Sequence, residues 1–119
     1  MDGAGTLKIS VRDEDQTFLV IDVPGVEGRI LGRSSAQSGY IPDIDLAAYG
    51  AREGGVSRRH AVFVRYQERV HVVDLGSVNG TKLNGEPLQP QVPYPVRSGD
   101  QLSVGNLQLS IVHVDAERA

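Results

Sequence analysis

The sequence predicts an all-β domain, a sandwich or a barrel, and three observations support this fold class. Many short runs of alternating apolar and polar residues occur, and turn clusters rich in Gly and Asn separate them about every ten residues. No stretch longer than one turn shows the periodicity of an amphipathic helix. The chain has no Trp, 2 Phe and 4 Tyr, so Val, Ile and Leu, which suit pleated strands, must fill most of the core.

The first part of the chain predicts three strands. Apolar and polar residues alternate over residues 7–11, which is typical of a half-buried strand. An acidic turn at residues 13–15 follows, and residues 17–22 are predicted to pair back as the second strand of a hairpin. Residues 28–33 predict a third short strand.

A long polar stretch then runs from Ser34 to Arg59, and only the apolar residues 44–46 interrupt it. Connections of this length are uncommon in compact domains and are usually either functional or disordered. The sequence therefore marks this stretch as a candidate functional region.

The second part of the chain predicts six more strands, joined by tight turns. They cover residues 61–66, 70–74, 81–83, 86–88, 101–104 and 107–114. Asn84-Gly85 is a strong signal for a two-residue hairpin turn, in which both central residues need a positive φ. Four prolines between residues 87 and 95 confine that segment to edge strands or extended chain.

Length and composition exclude several classes of protein. The 119 residues suffice for one domain, and the formal net charge of -3 lacks the basic excess of a general nucleic-acid binder, so we expect no nucleic-acid partner. The absence of Cys excludes disulfides and zinc–thiolate sites, and it suits a cytoplasmic location. The longest apolar runs are too short for membrane insertion, and the first residues do not resemble a signal peptide.

Four segments, in this order, carry a resemblance to a known family. They are residues 32–34 (Gly-Arg-Ser), 56–61 (Val-Ser-Arg-Arg-His-Ala), 74–85 (Asp-Leu-Gly-Ser-Val-Asn-Gly-Thr-Lys-Leu-Asn-Gly), and 99–102 (Gly-Asp-Gln-Leu) with Gly105. On these segments the chain resembles the forkhead-associated (FHA) domain family. The resemblance implies an SMAD/FHA-type β-sandwich of about eleven mostly antiparallel strands, with ligand-binding loops at one end. It also implies a non-enzymatic signalling or adaptor module that binds a phosphothreonine-containing protein or peptide and needs no cofactor.

The chemistry of these residues agrees with phosphate binding. A phosphate group carries about -1.5 to -2 charge at neutral pH and three strong acceptor oxygens, which the planar fork of Arg matches better than Lys does. If the two ends of the long polar stretch converge, Arg33 and Arg58 can face one anion, and Ser57 can add a hydroxyl donor. Asn79 can donate its side-chain amide to the main chain of a bound peptide.

The resemblance implies a role for each position. Arg33 is the expected clamp for phosphate and peptide backbone, and Ser57 is the hydroxyl that meets the phosphate. Arg58 takes a further phosphate-contacting position that other members often fill with Asn. Asn79 is the expected main-chain anchor. Val78 departs from the polar residue of some members, and an apolar side chain there could line a pocket for the threonine methyl.

Five further residues are expected to support the site. They are Gly32, His60, Ser77, Gly80 and Thr81. His60 is expected to brace the loops from below rather than to act in catalysis. No metal site is expected, because the other histidines lie on different predicted strands without ligand spacing.

Two alternatives remain open at this stage. The chain could be an FHA-fold structural or dimerising module that lacks phosphate recognition, although the retention of Arg33, Ser57, Arg58 and Asn79 together argues against this reading. More remotely, Ser57, His60 and Asp74 supply the residue types of a serine hydrolase triad. No Gly-x-Ser-x-Gly elbow surrounds Ser57, and no oxyanion hole is evident.

For domain organisation, we expect one domain over residues 7–114, with flexible ends at residues 1–6 and 115–119. Such a domain is also compatible with tethering to further domains of a longer protein.

Overall fold

The computed structural model describes residues 6–11, 18–22, 28–67 and 69–114. Within these ranges the chain forms eleven strands and one short 3-10 helix. In chain order the strands are β1 (Thr6–Val11), β2 (Phe18–Asp22), β3 (Arg29–Gly32), β4 (Ile44–Asp45), β5 (Arg59–Tyr66), β6 (Arg69–Asp74), β7 (Thr81–Leu83), β8 (Glu86–Pro87), β9 (Tyr94–Pro95), β10 (Gln101–Val104) and β11 (Leu107–Val114). The acidic turn predicted at residues 13–15 and the ends at 1–5 and 115–119 lie outside the described residues.

The strands form two sheets, one of six strands in the order β2-β1-β11-β10-β7-β8 and one of five in the order β4-β3-β5-β6-β9. Neighbouring strands are antiparallel, except that β3 and β4 pair in parallel. The prediction of an all-β fold with mostly antiparallel strands is therefore confirmed.

The core contains apolar side chains from both sheets, and the alternation in the sequence decides which ones enter it. In β1, Leu7, Ile9 and Val11 are buried and Lys8 is exposed. Phe63 in β5 is fully buried, as is Leu109 in β11. Burying an aliphatic or aromatic side chain of this size contributes roughly 1.5–3 kcal/mol, so the two inward faces hold the sheets together.

Turn chemistry and prolines lie where the sequence predicts them. Asn84 and Gly85 both have positive φ values, 53° and 85°, in the turn between β7 and β8. Pro87 lies in β8 and Pro95 in β9, and each of these strands is the outer edge of its sheet. An edge position tolerates proline, which has no N–H to give to a second neighbour.

The polar stretch between β3 and β5 is more ordered than its composition indicates. It contains β4, a 3-10 turn at Ala47–Tyr49 and an isolated bridge between Ser35 and Tyr40. The buried side chains of Ala51 and Val56 pin its second half to the core. Sequence analysis identified only residues 44–46 as structured within this stretch.

Other strand bounds differ slightly from the predicted ones. β3 ends at Gly32, so that Arg33 lies just beyond the strand, and β8 is one residue shorter than predicted. β9 lies in the proline-containing segment that was predicted to form edge strands or extended chain. No helix within the described ranges is both long and apolar enough to cross a membrane.

Candidate functional site

The two ends of the long polar stretch meet at one end of the sandwich. The backbone N–H of Arg33 donates a hydrogen bond to the carbonyl of Arg58 at 3.3 Å. The Nε–H of Arg33 donates to the carbonyl of Val56 at 2.7 Å. This second bond uses Nε of Arg33, and the two terminal nitrogens of its guanidinium group make no hydrogen bond to the described residues.

Gly32 allows this close approach. A Cβ atom at Gly32 would lie 1.9 Å from the carbonyl oxygen of Arg58, so any larger residue would push the two segments apart. The pairing of β3 with β5 also shifts here, because Leu31 faces Ala61 whereas Gly32 faces Arg59. His60 is the extra residue of this bulge, and bulges of this kind re-aim side chains next to functional sites.

A cavity of about 500 Å³ opens beside this junction. We call it the Val78 pocket, and its lining consists of Arg33, Ser38, Tyr40, Ser57, Arg58, Arg59 and Val78. Among the described residues, the guanidinium groups of Arg58 and Arg59 have no acidic partner. Three arginines thus line one cavity, and no acidic residue is part of its lining.

Two hydrogen bonds fix Ser57, and its hydroxyl can still donate a hydrogen bond to a ligand. Its backbone N–H donates to Nδ1 of His60 at 3.0 Å, and its Oγ accepts a bond from the N–H of Val78 at 3.1 Å. A hydroxyl that accepts one bond still has its own hydrogen to donate. Val78 itself is 87% exposed, so its apolar side chain is presented at the surface of the pocket.

His60 joins two loops from beneath. Because its Nδ1 accepts the Ser57 N–H, Nε2 carries the ring proton and donates to the carbonyl of Gly80 at 2.9 Å. The ring is completely buried. Burial lowers the pKa of His60 below 6.5 and outweighs the opposite effects of the Gly80 carbonyl and the Asp74 charge, so the ring is neutral.

Asp74 organises the loop between β6 and β7. Its carboxylate accepts bonds from the N–H groups of Gly76 and Ser77 and from the hydroxyls of Ser77 and Thr81, at 2.6–3.2 Å. Burial acts to raise the pKa of Asp74, but these hydrogen bonds outweigh it and hold the pKa below 3.8. The Ser77 Oγ in turn accepts the N–H of Gly80 at 3.0 Å, which closes the loop.

Sequence analysis included Asp74 in the resemblance but assigned it no supporting role. A signal was present, since an Asp at the end of a strand, here in Asp74-Leu75-Gly76, is typical of a side chain that bonds the backbone two residues on.

Asn79 connects this loop to the segment before β5. Its Nδ2 donates to the carbonyl of Gly55 at 2.9 Å. The second N–H and the carbonyl of the amide remain for a bound peptide. Asn79 lies beside the Val78 pocket and does not line it, whereas Arg33, Ser57, Arg58 and Val78 all do.

The geometry does not assemble a hydrolase triad. Both nitrogens of His60 bond backbone groups, and neither bonds the Ser57 hydroxyl. The Asp74 carboxylate bonds the loop that follows it instead of the imidazole. Ser57 therefore has no base positioned to take its proton.

Comparison with known proteins agrees with this geometry. Residues 29–105 match the family model described as the FHA domain. An oxoglutarate dehydrogenase inhibitor of Corynebacterium diphtheriae is 37% identical over 90 residues, which cover 76% of this chain and 57% of the relative. The glycogen accumulation regulator GarA of Mycobacterium tuberculosis is 35% identical over 80 residues, which cover 67% of this chain and 46% of the relative. The chain spans about half the length of the curated relatives it matches.

Solved structures with a similar fold are FHA domains. One belongs to a structural and functional analysis of phosphothreonine-dependent FHA domain interactions; it has a TM-score of 0.68 and 22% identity and covers 90% of this chain and 95% of that chain. The FhaA FHA domain in complex with the intracellular domain of Rv3910 has a TM-score of 0.66 and 23% identity, covering 88% of this chain and 98% of that chain. These likenesses confirm the FHA-type sandwich.

Proposed function

We propose that this chain, which belongs to the FHA domain family, binds phosphothreonine in a partner protein through the Val78 pocket. FHA domains are binding modules, and the relatives are named inhibitors and regulators, so the chain is not an enzyme.

One observation carries the proposal: Arg33, Arg58 and Arg59 all line one pocket that has no acidic residue in its lining. In a chain of net charge -3, such a cluster costs electrostatic free energy unless an anion neutralises it. Ser57 adds a neutral donor to the same pocket. A phosphate dianion offers the three acceptor oxygens that these donors need.

The remaining contacts suit an extended peptide around the phosphate. The free N–H of the Asn79 amide can hold the peptide main chain, which fixes register without requiring a particular side chain. Val78 can pack against the methyl group of phosphothreonine, and burial of one methyl contributes about 0.8 kcal/mol over phosphoserine. Three or four charge-assisted hydrogen bonds, less the cost of association, give a Kd on the order of micromolar.

The names of the relatives indicate a regulatory role. An inhibitor of oxoglutarate dehydrogenase and a regulator of glycogen accumulation both act on metabolism. We extend the proposal to this chain as a regulator that acts by binding, in the cytoplasm. The absence of Cys suits that reducing compartment.

The test is binding of phosphothreonine, phosphoserine and unmodified forms of a peptide library, measured with the wild type and with Arg33→Ala. Arg97, which is exposed and does not line the Val78 pocket, supplies the control Arg97→Ala. We expect binding that requires phosphate and is lost in Arg33→Ala alone. Equal binding of phosphorylated and unmodified peptides would instead support a structural or dimerising module.

A further inference from the structure

The turn between β10 and β11 contains Gly105, a residue of the sequence resemblance that the Val78 pocket leaves without a role. The two residues of this turn are Gly105 and Asn106, and we call them the brace. Neither of them lines the Val78 pocket. The brace nevertheless bonds the two loops that the hydrogen bond between Asn79 and Gly55 joins. Its contacts therefore extend to the residue that we expect to hold the peptide main chain.

One bond from the brace holds the loop that carries Asn79. The N–H of Gly105 donates to the carbonyl of Gly80 at 3.1 Å. The same carbonyl accepts the Nε2–H of His60 at 2.9 Å, so both of its lone pairs are used. His60 belongs to β5 of the five-stranded sheet, whereas the brace joins two strands of the six-stranded sheet. The backbone immediately after Asn79 is therefore held from both sheets.

A second bond from the brace holds the loop that accepts the Asn79 amide. The N–H of Asn106 donates to the carbonyl of Gly54 at 2.7 Å. The next residue, Gly55, uses its carbonyl to accept the side-chain amide of Asn79 at 2.9 Å. The donor and the acceptor of this bond thus lie in two separate loops, and the brace is bonded to both.

Gly105 packs against the backbone of the accepting loop so closely that no side chain fits there. A Cβ atom at Gly105 would lie 2.5 Å from the carbonyl oxygen of Gly54 and 2.8 Å from that of Gly55. The Gly55 oxygen is the atom to which the Asn79 amide donates. Because both oxygens belong to the backbone, no change of rotamer can relieve this contact. A side chain at residue 105 would therefore displace the acceptor of the Asn79 amide.

We propose that Gly105 is a positioning residue for the peptide-binding amide of Asn79. This inference rests on the proposed function, in which that amide holds the main chain of the phosphopeptide. One N–H of the amide is bonded to Gly55, so the place of that carbonyl determines where the second N–H is offered to a peptide. Because the side chain is held before the peptide arrives, less rotamer entropy is lost on binding.

Three Gly→Ala changes separate this role from a general effect on stability. Gly105→Ala places a methyl group against the Gly55 carbonyl, and Gly55→Ala places one 2.5 Å from Nδ2 of Asn79. Gly85→Ala is the control, because no described atom outside its chain neighbours lies within 4 Å of the added methyl. The φ values of the three glycines are 60°, 78° and 85°, so each change should lower the free energy of unfolding. Only the first two should affect the Asn79 amide.

Each change is made in the wild type and in Asn79→Ala, and binding of a phosphothreonine peptide is measured by fluorescence anisotropy. Loss of one main-chain hydrogen bond weakens binding by about two- to tenfold. We expect this loss from Asn79→Ala, Gly105→Ala and Gly55→Ala alike. In the Asn79→Ala background, Gly105→Ala should weaken binding by less than about twofold more, because the amide that it positions is gone. Gly85→Ala should leave the Kd unchanged in both backgrounds.

The side-chain amide of Asn79 also gives a readout that needs no peptide. Its two N–H resonances in the ¹⁵N NMR spectrum are the pair that is absent from Asn79→Ala. In Gly105→Ala this pair should shift toward the values of a free amide, and in Gly85→Ala it should stay in place. If Gly105→Ala does not fold, Asn106→Pro replaces it, because proline lacks the N–H that bonds Gly54 and leaves residue 105 unchanged.

Three results would overturn the inference. They are unchanged affinity in Gly105→Ala, an equal loss from Gly105→Ala with and without the Asn79 amide, and amide resonances that stay in place in that variant. None of them affects the proposed function as long as binding to the wild type requires the phosphate and Arg33. If the phosphorylated peptide does not bind the wild type, the proposed function fails and this inference fails with it.

Discussion

Arg33 and Arg58 are hydrogen-bonded backbone to backbone, N–H to carbonyl at 3.3 Å, although all of β4 and its flanking loops lie between them in sequence. The bond joins the two ends of the long polar stretch to each other. It places two guanidinium groups on a rigid scaffold, so little conformational entropy is lost when an anion binds. The predictions below test how this scaffold is built and what it binds.

Gly32→Ala should disrupt the junction. The added methyl would lie 1.9 Å from the Arg58 carbonyl, and a clash with backbone can be relieved only by moving the segments apart. We expect a loss of about 1–3 kcal/mol or more in the free energy of unfolding, measured by urea denaturation, together with weaker phosphopeptide binding. Gly85→Ala is the control, because its φ of 85° disfavours alanine but the residue does not line the Val78 pocket. It should lower stability and leave binding unchanged; loss of binding in both variants, or in neither, would contradict this role of Gly32.

Asp74→Asn should loosen the loop that carries Val78 and Asn79. The carboxylate accepts four hydrogen bonds, and an amide cannot accept from all four donors. Hydrogen bonds to charged groups contribute about 1.5–3 kcal/mol each but are not additive, so we expect a loss of roughly 2–4 kcal/mol in the free energy of unfolding. Thr81→Val removes only one of these donors and should cost about 1.5 kcal/mol, the lower end of that range. If the two variants have equal stability, the carboxylate is not the organising group.

Protonation of His60 should destabilise the folded protein. Its pKa is lowered by burial, so the unfolded chain binds the proton more readily than the folded protein does. The stabilisation is complete above pH 6.5, the ordinary value, and is lost as the pH falls from there toward the lower folded-state pKa. Urea denaturation between pH 7.5 and 5 should show this slope in the wild type, and His60→Gln, although less stable, should lack it. The same slope in both proteins would assign it to other groups.

Tyr40→Phe should not destabilise the protein. The Tyr40 hydroxyl is buried and has no hydrogen-bond partner in the described part of the chain. A buried hydroxyl without a partner costs about 1–3 kcal/mol, so its removal should leave the free energy of unfolding equal to or higher than that of the wild type. The ring, which lines the Val78 pocket, is retained and phosphopeptide affinity should not change. A stability loss of more than about 1 kcal/mol would show that the hydroxyl does make a hydrogen bond.

Most of the fold could be predicted from the sequence because local rules determine most of it. Alternation marked β1, the Asn84-Gly85 turn marked the hairpin of β7 and β8, and prolines marked the edge strands. The order of strands within the sheets was not predicted, because it follows from packing between distant segments. The bridge between Ser35 and Tyr40 was missed because polar residues in a loop carry no periodic pattern.

Only part of the candidate site was predicted, because local rules do not show how separate loops come together in space. Residue type and family position identified Arg33, Ser57 and Arg58, which the structure brings to one pocket. Tyr40 and Arg59 were not predicted as pocket residues, since nothing local distinguishes a pocket-lining residue from a solvated one before the loops are placed in space. The bond from Asn79 to Gly55 joins two separate loops, so no local pattern could reveal it.

The most direct test of the account is a double-mutant cycle on Arg33→Ala and Arg58→Ala, with binding of a phosphothreonine peptide measured by titration calorimetry. If both guanidinium groups contact one dianion, each single change should cost roughly 2–5 kcal/mol, and the pair should be non-additive by about 0.5–3 kcal/mol. The unphosphorylated peptide should bind all four proteins with the same low affinity. Additive losses, or affinity that does not depend on the phosphate, would contradict the account.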